Sequence, residues 1–182
     1  MLFPSLHQLL TEYRPADEAE KQSQMQMLNL VGNPRCLLRE NLAEHFTASA
    51  FIIAPNSDRT LLTHHRKIGR WLQLGGHADG DEDLAAVAMK ESFEESCLTK
   101  LRLLSPRPFD LDVHEISAHK TVPTHLHHDV VFLIEADPEE ALVVSEESLD
   151  LAWSDFDDPR VTGHSRLTRM AAKVRRLRQN LD

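Results

Sequence analysis

Glu91, Glu94 and Glu95 stand three and four residues apart in the stretch Lys90-Glu91-Ser92-Phe93-Glu94-Glu95-Ser96-Cys97-Leu98. At roughly 100° per residue, a helix places these three carboxylates within about a third of its circumference. Ala85, Ala86, Met89 and Phe93 recur at helical spacing on the other side. The pattern predicts an apolar stripe buried against a sheet and an acidic face looking outward. Like charges at this spacing repel by a few tenths of a kcal/mol, a penalty that a divalent cation converts into binding. All-oxygen donors suit a hard ion, and magnesium is commonly held by a few carboxylates together with substrate phosphate oxygens. The plainer alternative is a solvated acidic helix face.

Upstream lies Gly76-His77-Ala78-Asp79-Gly80-Asp81-Glu82, with seven residues between Glu82 and Lys90. Taken together the two segments resemble the Nudix box: Gly, five residues, Glu, seven residues, Arg-Glu, an apolar residue, any residue, Glu-Glu, any residue, Gly, and an apolar residue. Gly76, Glu82, Glu91, Glu94, Glu95 and Leu98 match at the proper intervals. Three positions depart: Lys90 stands for Arg, Ser92 for the apolar residue and Cys97 for Gly. Lys90 keeps the charge without the planar fork. Cys97 replaces the residue that most easily ends a helix in the left-handed region. No departure touches an expected metal ligand. The resemblance implies an α/β/α sandwich with a mixed sheet and hydrolysis of a diphosphate linkage assisted by Mg2+ (or Mn2+). It further implies that Glu91, Glu94, Glu95 and the Gly75 carbonyl bind metal, while Glu82 braces the loop against Lys90.

Other residues fall around this motif. Trp71-Leu72-Gln73-Leu74-Gly75-Gly76-His77 reads as an apolar strand entering a Gly-Gly turn, where backbone approaches an ion or phosphate closely. His64-His65-Arg66-Lys67-Ile68-Gly69-Arg70 concentrates positive charge in an acidic chain. It reads either as a solvated hairpin end or as a source of phosphate-neutralising cations, Lys67 and Arg70 being the better placed. Trp71 and His77 are candidates to line the substrate pocket. Of eleven histidines, several gather near the later strands. By alternation, Asp110, Asp112 and His114 share one strand face, and His125, His127 and Asp129 share another. His114, His125, His127 and Asp129 are candidates for a second metal site or a proton relay. The Gly-Gly-His turn combined with the Asp-x-His and His-x-His-His-Asp strands is similar to a bacterial Nudix subgroup with few characterised members.

The implied reaction is metal-assisted attack of water on phosphorus, with Glu91 as a candidate to orient or deprotonate the water. Glu139, Glu140, Glu146, Glu147 and the histidine strand are further candidates for the base. The class expectation for the substrate is a nucleoside diphosphate linked to another moiety. Two rivals stand beside this reading. An isomerase of isoprenoid diphosphates shares the fold and uses histidines near a Gly-His turn. A non-catalytic nucleotide-binding module is the other, with the N-terminal helices serving a partner or a homodimer interface.

The elements that must position these groups can be read along the chain. Ser5 to Tyr13 and Ala16 to Val31 have helical composition, bounded by Pro4, Pro15 and Pro34. Leu6, Leu9, Leu10, Met25, Leu28 and Leu30 are their packing residues. Residues 1–46 read as a helical extension and 47–182 as the Nudix hydrolase domain with its C-terminal helix. Thr47 to Ala54 and Thr60 to His65 form a hairpin around Pro55 to Asp58. Strands follow at Leu98 to Leu104, Phe109 to Ala118, His127 to Ala136 and Leu149 to Trp153. A last helix from His164 to Leu181 turns Leu167, Met170, Ala171, Val174 and Leu177 inward and a solvated Arg/Lys face outward. The 182 residues, 41% hydrophobic, support one core. A net charge of -9 argues against nucleic acid or an anionic membrane as partner. Cys36 and Cys97 read as free thiols. With no signal peptide or membrane-length apolar run, the expected setting is cytoplasmic.

Overall fold

The computed structural model describes residues 5–119 and 121–180; the expectations resting on Pro4 and Leu181 lie outside them. Helices α1 (Leu6–Glu12), α2 (Glu18–Leu30), α3 (Leu84–Ser96), α4 (Pro159–Thr162) and α5 (Ser165–Gln179) accompany eight strands. These are β1 (Glu44–Ile53), β2 (Arg59–His65), β3 (Arg70–Leu72), β4 (Leu74–His77), β5 (Arg102–Leu103), β6 (Asp110–Ile116), β7 (His125–Glu135) and β8 (Ser148–Asp155). Strand order is β3-β2-β1-β7-β5, with β4 paired to β1, β6 to β7 and β8 to β2. The class is α/β, a mixed sheet with flanking helices, as expected. Two compact units divide the chain.

The first unit comprises the chain up to Ser49, Gly75–Ala88 and Ser105–Phe132. Ser5 caps α1 by accepting from Gln8 N at 3.2 Å, and Asp17 caps α2 by accepting from Glu20 N at 2.9 Å. The buried Glu20 carboxylate takes the Tyr13 hydroxyl at 2.7 Å and the Ala16 N–H at 2.5 Å. Helix α2 lies on β6, where Val113 N donates to Ser23 Oγ at 3.2 Å. The preface is thus packed into this unit. Leu6, Leu10, Met27 and Leu30 are the buried apolar residues of α1 and α2, while Met25 is exposed and Met27 takes the inward position.

The second unit comprises Ala50–Leu74, Met89–Leu104 and Leu133–Asp182. The expected hairpin forms with Ile52 opposite Leu61, and its turn carries Asn56 at φ +53°. Ala50, Ile52, Leu61, Leu74, Leu98, Ile134, Ala136 and Leu151 build its core. The strand expected at Leu98–Leu104 contracts to Arg102–Leu103, because Leu98 is drawn into that core and Thr99 N–H and hydroxyl both bond Glu140. On α5, Leu167, Met170, Ala171 and Val174 are buried, but Leu177 is half exposed. Its basic face is engaged rather than merely solvated. Arg175 binds Asp58 at 2.7 Å and Asp157 at 2.9 Å, and Arg178 donates to the carbonyls of Ser57 and Ala54. Among the described residues no helix is long and apolar enough to cross a membrane, and both cysteines are free.

Candidate functional site

Asp83 opens α3 by accepting from Ala86 N at 3.0 Å. The helix then buries Leu84, Ala85, Val87, Ala88, Ser92 and Ser96. Phe93, expected in that stripe, is 50% exposed, and Ala86 is exposed as well. Glu95 is only 8% exposed and Glu91 is half-buried, whereas Glu94 faces solvent. The acidic face therefore does not simply look outward. Glu91 and Glu95 follow Ala88 at i+3 and i+7, on the buried side of the helix.

Burial pushes the Glu91 carboxyl above the usual range; Lys90 opposes this, and the charges of Glu94 and Glu147 add to it. Lys90 Nζ lies 3.6 Å from both Glu91 and Glu94. Its ion-pair partners are its own helix neighbours, where the sequence suggested Glu82. Of the four loop glutamates considered, Glu140 is tied to Thr99 and held below its ordinary pKa by that hydroxyl and N–H. Glu147 is the one whose charge reaches Glu91.

The basic segment divides by role. Arg66 holds the entry to β8, donating to the carbonyls of Glu146 at 2.9 Å and Ser148 at 2.8 Å. Lys67 and Arg70 are exposed, and neither has an ion-pair partner among the described residues. Trp71 already has two neighbours. His64 stacks on it at 5.0 Å between centroids, and the Arg160 guanidinium lies 5.1 Å from its ring. Nothing in the sequence singled out Arg160.

In the first unit, Gly75 and Gly76 lie inside β4 and not in a turn. A Cβ at Gly75 would meet Ala48 O and Ser49 Cα at 2.6 Å, so the glycine lets β4 press against β1. The β6–β7 register sets His114 opposite His127 and Asp112 opposite Asp129. Asp129 accepts from Thr47 Oγ1 at 3.0 Å and Ser49 Oγ at 2.8 Å, and His114 Nδ1 lies 2.9 Å from Asp112.

The His127 ring is surrounded by imidazoles: His45 at 4.9 Å, His125 at 5.0 Å, His77 at 5.2 Å and His114 at 5.7 Å. Burial holds His127 down to about 2 and His77 to about 4, neighbouring positive charge adding to the effect, so both rings are neutral near pH 7. Among the described residues, His45, His77 and His127 are the group whose ligand atoms lie within 4.8 Å of one another. His45 escaped the sequence reading, which began the strand at Thr47. The signal was present in the alternation of His45, Thr47 and Ser49 on one strand face.

A family model of the NUDIX domain matches residues 44–177. Among solved structures, a C. elegans Ap4A hydrolase binary complex is similar at 17% identity and TM-score 0.58, covering 74% of this chain and 98% of that one. A hydrolase of the NUDIX family from Clostridium perfringens is 23% identical over 73% of this chain and 97% of that one, with TM-score 0.52. The E. coli dihydroneopterin triphosphate pyrophosphohydrolase is 19% identical, covering 71% and 92%, with TM-score 0.52. No curated protein sequence matches the chain. The match over residues 44–177, carried by a box that retains Glu82, Glu91, Glu94 and Glu95 on the fold these structures share, means that the chain belongs to the Nudix family.

Proposed function

We propose that the protein hydrolyses the diphosphate linkage of a nucleoside diphosphate joined to another moiety, in a reaction that depends on Mg2+ or Mn2+ at the acidic helix. Membership of the Nudix family carries the reaction class, hydrolysis of an acid anhydride. The observation that carries the finer reading is the burial of Glu95 and half-burial of Glu91 beside Glu94, with Glu147 adding negative charge. Lys90 offsets part of that negative charge, and a divalent cation would offset more of it. The donor set is all carboxylate and fits a hard divalent ion. Glu91, Glu94 and Glu95 would hold the ion, and the family pattern adds the Gly75 carbonyl. When bound, the ion offsets charge on diphosphate oxygens and makes water a better nucleophile.

The chain's own groups supply the rest. Glu91, whose carboxyl burial raises above its ordinary pKa, would orient the water and accept its proton. Glu147 is the second acid in its electrostatic range. Lys67 and Arg70, exposed and without an ion-pair partner among the described residues, receive substrate phosphate, while Trp71 lines the substrate's path. The substrate is a small molecule, and the setting is a reducing, cytoplasmic one in which Cys36 and Cys97 stay thiols.

The test is phosphatase-coupled phosphate release from nucleotide sugars, dinucleoside polyphosphates, ADP-ribose, NADH, coenzyme A and nucleoside triphosphates, with and without Mg2+ or Mn2+. Turnover of at least one member only with metal is expected. Glu95→Gln should lower that turnover about 100-fold or more while the circular dichroism spectrum stays unchanged. Full activity in a folded Glu95→Gln variant would sink the assignment, and silence across the panel would favour the isomerase or the binding module.

A further inference from the structure

We propose that His45, His77 and His127 form a three-histidine site for a borderline transition-metal ion of the zinc type, sharing no ligand with the acidic helix. The site goes beyond the hydrolase reading and does not depend on it.

Three features carry it. The first is convergence, since the ligand atoms of the three rings lie within 4.8 Å of one another. A tetrahedral ion at about 2.0–2.1 Å from each nitrogen needs them about 3.3 Å apart, a closure reached by small ring swings.

The second is the state of His45. Its Nδ1 lies 3.1 Å from the Asn41 carbonyl, which can only accept, so the proton is on Nδ1 and Nε2 carries a bare lone pair. The side chain is 3% exposed, and Nε2 is buried with no hydrogen-bond partner among the described residues. Buried acceptors of this kind are rare. A histidine that donates one ring nitrogen to a carbonyl while presenting the other is the arrangement of a metal ligand with its outer hydrogen bond in place.

The third is donor chemistry. His125 repeats the device, with Nδ1 2.8 Å from the Pro123 carbonyl and Nε2 3.2 Å from His127 Nε2. His125 therefore supports the His127 ring from outside the trio. Asp129 is occupied by Thr47 and Ser49, so the group is nitrogen-only and selects zinc, cobalt or nickel over magnesium. Three ligands leave a position for an oxygen of water or of an anionic ligand.

The full chain, stripped with chelator and freed of it, would be titrated with Co2+ alone while visible absorption is recorded. The expected result is one Co2+ per chain with the d–d bands of low coordination, displaced by equimolar Zn2+ and unchanged in Glu91→Gln. His77→Ala, at a half-buried position, should weaken binding at least about tenfold, the smallest loss seen even for outer-sphere partners. Nitrogen-15 spectra of unsubstituted protein provide the check that needs no variant: Zn2+ should shift ring nitrogens of three histidines. No low-coordination spectrum, binding indifferent to His77→Ala but lost in Glu91→Gln, or unmoved histidine resonances would each overturn the proposal.

Discussion

Cys97 holds φ at +58°, a left-handed backbone conformation, directly after the end of α3, and its N–H donates to Phe93 O at 2.7 Å. The box pattern has glycine there, and the structure shows why: the helix must end in the left-handed region, where a side chain is penalised by about 1–2 kcal/mol. Cys97 is exposed, so its thiol gains no burial in compensation. Cys97→Gly should therefore stabilise the protein by about 1 kcal/mol and raise Tm by about 2–4 °C for a chain of this size. A lower Tm by calorimetry would show that the Cys97 side chain contributes more than its backbone strain costs. Glu91 and Glu95 differ from Cys97 in lying toward the buried side of α3, Glu91 half-buried and Glu95 8% exposed.

At the scale of elements, β4 is where a residue type decides a contact. Gly75 meets β1 so closely that a Cβ would lie 2.6 Å from Ala48 O and from Ser49 Cα, both backbone and unable to yield as a flexible side chain does. Gly75→Ala should cost about 2 kcal/mol or more in denaturant titration, independent of any part its carbonyl plays in metal binding. A loss of activity at unchanged stability would instead tie Gly75 to the chemistry alone. Ser49 also serves Asp129, so this strand contact and the buried carboxylate of β7 depend on one another. Arg66 acts at the same scale. Its bonds to the Glu146 and Ser148 carbonyls hold the segment that carries Glu147.

Across the whole molecule, β1, β4, β7 and α3 each begin in one compact unit and end in the other. Regular elements lose their ladder or helical bonds cooperatively, so neither unit can melt while the other keeps these segments intact. Urea unfolding followed by the fluorescence of Trp71 and Trp153, both in the second unit, should coincide with loss of the β6 amide signals in the first. Separate midpoints would show that the units are independent foldons.

The amino-acid sequence by itself determined the family, the class of fold and the identity of the acidic helix, because these rest on local spacing: four box glutamates, Gly76 and Leu98 lie within one short segment. Strand faces were legible for the same reason, since alternation placed His125, His127 and Asp129 together. The inward turn of Glu91 and Glu95 was not legible, because helical spacing alone does not say which arc of a helix meets the sheet. Nor was the glycine pair's place within a strand, which depends on how closely β4 approaches β1. The meeting of His45, His77 and His127 was hidden for a related reason. These residues are far apart in the chain and come from β1, β4 and β7. Only strand pairing brings their rings to one place, and only burial leaves a bare nitrogen there.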